Sequence, residues 1–173
     1  GYDGRVSSPM LEEALVRGLN DSGVDVVRIG MGPTPMLYYA EAVLEGVDGG
    51  IEITGSHNPA NYNGFKMVLA GRAIYGDEIQ ALRRLMEEES WQERAGAQVR
   101  QVDVLPAYRQ RIVEGISLQR PMKIVVDCGN GTPGPIYPNI LRKAGIDVIE
   151  LFCDIDMTFP NHEPNPSDAH AIQ

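Results

Sequence analysis

The stretch Thr54-Gly55-Ser56-His57-Asn58-Pro59-Ala60-Asn61-Tyr62-Asn63-Gly64-Phe65-Lys66 puts a serine hydroxyl, an imidazole, three carboxamides and an ammonium within 13 residues. It follows a short apolar run and therefore sits at a strand end. Ser56 is the residue suited to carry a covalent group through oxygen. A serine nucleophile needs a base for its proton and a cation to balance incoming negative charge. His57 and Lys66 are candidates for both roles. Gly55 and Gly64 would let backbone amides approach a phosphate closely. Asn, Gly, Pro and Ser are also the ordinary turn formers, so a turn without chemistry is the competing reading.

A second candidate is Gly129-Asn130-Gly131-Thr132-Pro133-Gly134, a GxGxxG between a strand and a helix, with Glu150 at the end of the next strand. Such a layout seats a pyrophosphate at a helix N-terminus and a ribose on the acid. A dinucleotide-dependent oxidoreductase is therefore the alternative function. Against it, Pro133 and Pro135 withhold two amide donors. The tail residues Asp154, Asp156, His162, Glu163, Asp168 and His170 are possible metal ligands, but their spacing fits no metal template. Cys128 and Cys153 lie outside any CxxC pairing and read as buried, reduced thiols of a cytosolic protein.

The elements around these residues alternate strand and helix. Ser7-Ser8-Pro9 opens a helix, with Glu12 and Glu13 near its positive end and Leu11, Ala14, Leu15 and Leu19 on one face. Gly23 stops it, and Val24–Ile29 is a β-branched strand. Thr34-Pro35 opens a second helix, Gly50–Thr54 and Phe65–Leu69 are strands, and Asp77 caps a third helix carrying Ile79, Leu82, Leu85 and Met86. A domain edge is expected near 96–104. Beyond it come a helix from about Pro106 to Gly115, a strand at Lys123–Cys128, a helix ending near Gly145 and a strand at Ile146–Phe152. Strands alternating with helices mean an α/β fold with mostly parallel sheet. With 173 residues, 43% of them hydrophobic, the chain can bury a core without disulfides or metals. Its 24 acids against 15 bases leave a net charge of −9. That excludes a general nucleic-acid binder. No apolar run approaches the ~20 residues of a membrane span, and the expected location is the cytoplasm.

The serine loop also carries a resemblance. Thr-Gly-Ser-His-Asn-Pro followed by Tyr-Asn-Gly-Phe-Lys resembles the phosphoserine loop of the α-D-phosphohexomutases, in particular the bacterial phosphomannomutase/phosphoglucomutase group. Gly1-Tyr2-Asp3-Gly4-Arg5-Val6-Ser7, Gly32-Pro33-Thr34-Pro35, Val126-Asp127-Cys128-Gly129-Asn130-Gly131 and Phe159-Pro160-Asn161-His162 look like further blocks of that family, in the same order. The resemblance implies two similar three-layer α/β units with mostly parallel mixed sheets. Residues 1–101 would be most of a first domain and 102–173 part of a second, both truncated. It also makes the GxGxxG a structural turn.

For function, it implies an isomerase of carbohydrate metabolism that exchanges hexose 1-phosphate and hexose 6-phosphate, of mannose or glucose. A phosphate on Ser56 would pass to the sugar through a bisphosphorylated intermediate, with glucose or mannose 1,6-bisphosphate as activator. Lys66 would transfer the proton, His57 would position or share that role, and Asn58 would orient the loop. Arg5 would support the loop or make a structural salt bridge. Mg²⁺ would bind the phosphate on Ser56 together with aspartates that this chain does not contain. The fragment alone is expected to be inactive.

Overall fold

The computed structural model describes residues 1–167; the sequence-derived candidates Asp168 and His170 lie outside them. Helix α1 (Ser8–Asp21) has proline in its first turn, as read, but Ser7 makes no side-chain cap bond. Its buried side is Ser8, Glu12 and Val16, with Leu11, Leu15 and Leu19 half-buried and Ala14 exposed. Glu12 is sealed instead of solvated because Arg28 reaches back to it, Nε donating to Oε1 at 3.0 Å. A carboxylate is tolerated inside when a fixed guanidinium accompanies it.

Strand β1 (Val26–Arg28) is shorter than the apolar run that announced it. Helix α2 (Thr34–Val43) follows and buries Met36, Leu37 and Ala40. Strand β2 (Gly49–Ile53) pairs antiparallel with β3 (Phe65–Leu69), which continues into a two-residue β4 (Arg72–Ala73). Tyr2 bridges in parallel to both Met31 and Ile53, so the first residues lie between the ends of β1 and β2. Helix α3 (Asp77–Glu87) departs from the reading in two ways. Its N-cap is Gly76, at φ 58°, instead of Asp77, and it buries none of its residues, leaving Leu82, Leu85 and Met86 exposed. Strand β5 (Val99–Gln101), inside the stretch read as a domain edge, pairs in parallel with β1. It has too few residues to show a period.

Helix α4 (Leu105–Glu114) comes next, then β6 (Lys123–Asp127), α5 (Tyr137–Lys143) and β7 (Asp147–Leu151), with β6 and β7 parallel over five register pairs. The pairing makes this an α/β fold with mixed sheets, the antiparallel part confined to β2–β4. One apolar core joins the two halves: Ile29, Met36, Leu37 and Ala40 meet Val104 and Tyr108 of the α4 region and Ile136 and Ile140 of the α5 region. The Tyr108 and Tyr137 hydroxyls lie 3.1 Å apart, and the Tyr39 ring tilts against Tyr108 at 5.7 Å. This seam fixes where the β6 end faces the serine loop.

The glycine motif after β6 is a chain crossing. A side chain on Gly134 would collide with the backbone carbonyl of Cys153. Asn130 is buried and spends its groups internally: its amide donates to Phe152, its Nδ2 to the Asp154 carbonyl, and its Oδ1 accepts from Asn161. Glu150, the expected ribose acid, instead pairs with Arg142. The cysteines are free but half-buried, a correction to the buried reading. No helix is long and apolar enough to cross a membrane among the described residues.

Gly134→Ala should therefore cost about 3 kcal/mol or more, the upper range of overpacking. Urea denaturation read by circular dichroism checks this; a variant of unchanged midpoint would show that the crossing relaxes freely.

Candidate active site

The serine loop hangs from one buried guanidinium. Arg5 is 1% exposed. Its Nε donates to Asp3 Oδ2 at 3.0 Å. Nη1 donates to the carbonyls of Pro59 at 2.6 Å and Tyr62 at 2.9 Å, and Nη2 to those of Ser56 at 3.1 Å and Asn58 at 2.8 Å. All five N–H groups of the planar fork are thus used. Asp3 is as fully engaged, accepting from the Arg5 amide, the Ser8 hydroxyl and the Gly55 amide. Arg5 therefore makes a salt bridge to Asp3 and also holds four carbonyls of the serine loop. The Phe159 ring lies 5.5 Å from the guanidinium carbon and brings the C-terminal loop over the anchor. Gly55 serves this anchor more than any ligand, since a Cβ there would strike the guanidinium and come within 2.6 Å of the Tyr62 carbonyl.

Above the anchor, Ser56 is exposed on a left-handed turn with φ 52°. For a residue with a Cβ that conformation costs about 1–2 kcal/mol and persists where surroundings impose it. The Ser56 amide donates to Thr54 Oγ1 at 2.9 Å, and Asn58 Nδ2 closes the loop on the Gly55 carbonyl at 2.9 Å. Asn63 ties the loop to Ser7 and Ser8 of α1.

Ser56, His57 and Lys66 line one cleft of about 630 Å³. Lys66 comes from β3, and the far wall is the β6 end with the tail around His162. No hydrogen bond joins Ser56 to His57 or Lys66, and Lys66 enters none of the ion pairs among the described residues. The cleft has room for a substrate between these groups.

Three acids also line this cleft, Asp3, Glu52 and Asp127. Asp3 is neutralised by Arg5. Asp127 faces His162 Nε2 at 3.2 Å, while His162 Nδ1 lies 2.8 Å from the Glu163 carbonyl. Both ring nitrogens face acceptors, so only the imidazolium satisfies both; the Glu163 carbonyl and Asp127 accordingly raise its pKa. Glu52 is 1% exposed, and burial pushes its carboxyl up to about 7. The sequence reading missed Asp3 and Glu52 and assigned Asp127 no role. The available signal was Glu52 itself, a lone charge inside Gly50-Ile51-Glu52-Ile53. Of the tail candidates, His162 enters the cleft as the partner of Asp127, whereas Asp156 binds Thr158. No group of three or more His, Cys, Asp or Glu is placed to hold a metal ion among the described residues.

Residues 1–93 match the sequence model of phosphoglucomutase/phosphomannomutase, alpha/beta/alpha domain I, and residues 106–173 that of domain II. The chain is 49% identical over 166 residues to a phosphomannomutase/phosphoglucomutase of Pseudomonas aeruginosa, covering 96% of this chain and 35% of that protein. It is 46% identical over 175 residues to a phosphoglucomutase of Neisseria meningitidis, covering all of this chain and 38% of that protein. A crystal structure of a phosphoglucomutase/phosphomannomutase family protein from Burkholderia thailandensis superposes with a TM-score of 0.93 at 47% identity, over 99% of this chain and 39% of that one. The chain thus spans 35–38% of the length of these curated relatives.

Arg5→Lys removes the fork while keeping a cation and leaves loop carbonyls unpaired. Breaking a buried pair of this kind costs about 3–5 kcal/mol. Urea denaturation should show that loss, and limited proteolysis should cut between residues 56 and 63; a loop as resistant as wild type would mean that it holds itself.

Proposed function

The chain belongs to the phosphoglucomutase/phosphomannomutase family, and on that premise we propose that it is the phosphoserine-bearing part of a longer phosphohexomutase acting on hexose 1- and 6-phosphates of mannose or glucose. The observation that carries the proposal is Ser56, held outward on a strained turn above a fully paired guanidinium, in one cleft with His57 and Lys66. In this reading the phosphoryl group on Ser56 passes to a free sugar hydroxyl. The P–O bond to Ser56 breaks as one to the sugar forms, leaving a hexose bisphosphate. Lys66, as the neutral amine, takes the hydroxyl proton, and the departing serine oxygen takes a proton from solvent at the open cleft. The bisphosphate then reorients and returns its other phosphoryl group to Ser56. Glucose or mannose 1,6-bisphosphate is therefore the activator. His57, exposed at the cleft, positions the incoming hydroxyl, Asn58 orients the loop and Arg5 supports it.

Electrostatics support this reading. A phosphoserine carries about −1.5 to −2 charges and must meet a second anionic phosphate. With Asp3 paired to Arg5 and Asp127 facing His162, two of the three acids at the cleft have partners. Mg²⁺ would supply further charge compensation, but the side chains described here do not by themselves make a site for it; only a phosphate on Ser56 is assigned as a ligand from this chain. We also place the boundary between units at 101/102, where β5 closes the first sheet and α4 follows. The oxidoreductase alternative is withdrawn, because Gly134 and Asn130 serve the chain crossing and Glu150 faces Arg142.

In the full-length enzyme, Ser56→Ala should abolish most mutase activity with the fold intact, and intact-mass spectrometry should find a phosphate adduct on wild type that the variant lacks. Wild-type turnover in Ser56→Ala overturns the assignment. Lys66→Met should lower turnover by ~10²–10⁴, the usual worth of a proton-transfer group. A change confined to KM would reassign Lys66 to phosphate binding. The present chain alone, assayed with glucose 1-phosphate and trace glucose 1,6-bisphosphate, should show no turnover, since the positioning lost with the other segments is worth ~7–11 kcal/mol of a barrier.

A further inference from the structure

The tail from Asp154 to Pro166 joins no strand, yet it is held at several points. Its Asp156 amide donates to the Asn130 carbonyl at 2.9 Å, and Asn161 Nδ2 donates to Asn130 Oδ1 at 2.7 Å. It runs against the turn that carries the loop anchor: a Cβ on Gly4 would come within 2.8 Å of Ile155, and Phe159 lies over the Arg5 guanidinium. Phe159 is buried, with its backbone left-handed at φ 54°. Such a conformation persists only where the surroundings impose it. Three residues further on, His162 is clamped at both ring nitrogens. Nε2 lies 3.2 Å from each carboxylate oxygen of Asp127 at the end of β6, and Nδ1 lies 2.8 Å from the Glu163 carbonyl. The ring also stands edge-on to Phe152 at 5.7 Å. It closes over Gly129, where a Cβ would come within 3.1 Å of it.

We propose that His162 is a proton-operated latch: as an imidazolium it pins the tail to the end of β6, keeps Phe159 over Arg5 and so steadies the serine loop that Arg5 holds. As regulation of the Ser56 cleft this rests on the proposed function; the latch itself rests only on the contacts named. A neutral imidazole has one N–H and one lone pair. Between two acceptors it leaves one without a donor and sets a lone pair against it, so deprotonation loosens the tail. The Glu163 carbonyl and Asp127 raise the His162 pKa above its ordinary 6.5. The clamp is therefore complete below pH 6.5 and is lost as pH rises through the higher value of the docked tail. The surrounding charges are otherwise engaged or distant. Cys128, beside Asp127, stays a neutral thiol because burial pushes it up to about 12. Glu150 of β7 is paired with Arg142. On the tail, Asp156 is turned to Thr158, and Asp154 and Glu163 are exposed. Across the cleft stand His57, Lys66, Glu52 and Asp3, the last held by Arg5. The charge that meets the imidazolium directly is Asp127.

Two measurements on the present chain test the latch. In the first, histidine ring C–H signals are titrated by NMR, with His162 assigned by its loss in His162→Gln. It should titrate above 6.5 and move back toward 6.5 in Asp127→Asn. That variant removes the charge but keeps an acceptor for the Gly129 amide. A wild-type midpoint at or below 6.5 overturns the latch. In the second, thermolysin cleavage before Ile155 or Met157 is followed at pH 6 and pH 8.5. Each rate is divided by that of a free peptide of residues 150–167. Wild type should be cut about threefold faster at pH 8.5, the scale of a partly exposed ion pair. His162→Gln should be cut at the faster rate at both pH values, and a variant that keeps the wild-type pH dependence overturns the latch. In the full-length enzyme, wild-type turnover relative to His162→Gln should be about threefold at pH 6 and close to one at pH 8.5. A ratio that ignores pH, beside positive results on the present chain, overturns control of the cleft and leaves the latch standing. A full-length enzyme without mutase turnover sinks the proposed function instead, and the latch is then decided on the present chain. Should His162→Gln not fold, Asp127→Asn is read against the same criteria.

Discussion

The buried Arg5–Asp3 pair is the interaction on which the rest of the cleft depends. Two charges removed from water are costly unless every remaining donor and acceptor is satisfied. Here they are satisfied largely by the loop that must be held: four carbonyls between Ser56 and Tyr62 accept from the guanidinium, and the Gly55 amide donates to the carboxylate. The loop and the ion pair therefore stabilise each other. A lysine, with a compact head and three donors, has no fork to span four carbonyls. The same anchor explains why Ser56 tolerates a left-handed backbone, since its own carbonyl is one of those held.

From the anchor outward, the cleft is assembled by contacts between distant segments. Phe159 covers the guanidinium, Asn63 reaches α1, and the α2–α4–α5 seam sets the second sheet against the first. A chain with net charge −9 is not an obvious receptor for phosphate. At the cleft, Asp3 is paired with Arg5 and Asp127 faces His162.

The sequence by itself determined the candidate loop, because Thr54–Lys66 is contiguous and its residue types both form a turn and offer a candidate nucleophile. It also determined the α/β alternation and most elements, since α1, α2, β2, β3, α4, β6 and β7 carry local start, stop and period signals. Tertiary structure alone decided the rest. Asp127 and His162 are 35 residues apart in sequence, and no local pattern pairs them. Arg5 offered two readings until four of its five donors had addresses more than 50 residues away. Gly134 looked like a phosphate-loop glycine because spacing cannot reveal that Cys153 crosses over it. The face of α3 followed the helical period, but periodicity states only which side is apolar, and among the described residues that side stays exposed. Glu52 showed only as a lone charge in an apolar run: alternation assigns it to a face, and only the register of β3 shows that the residue across from it is Lys66.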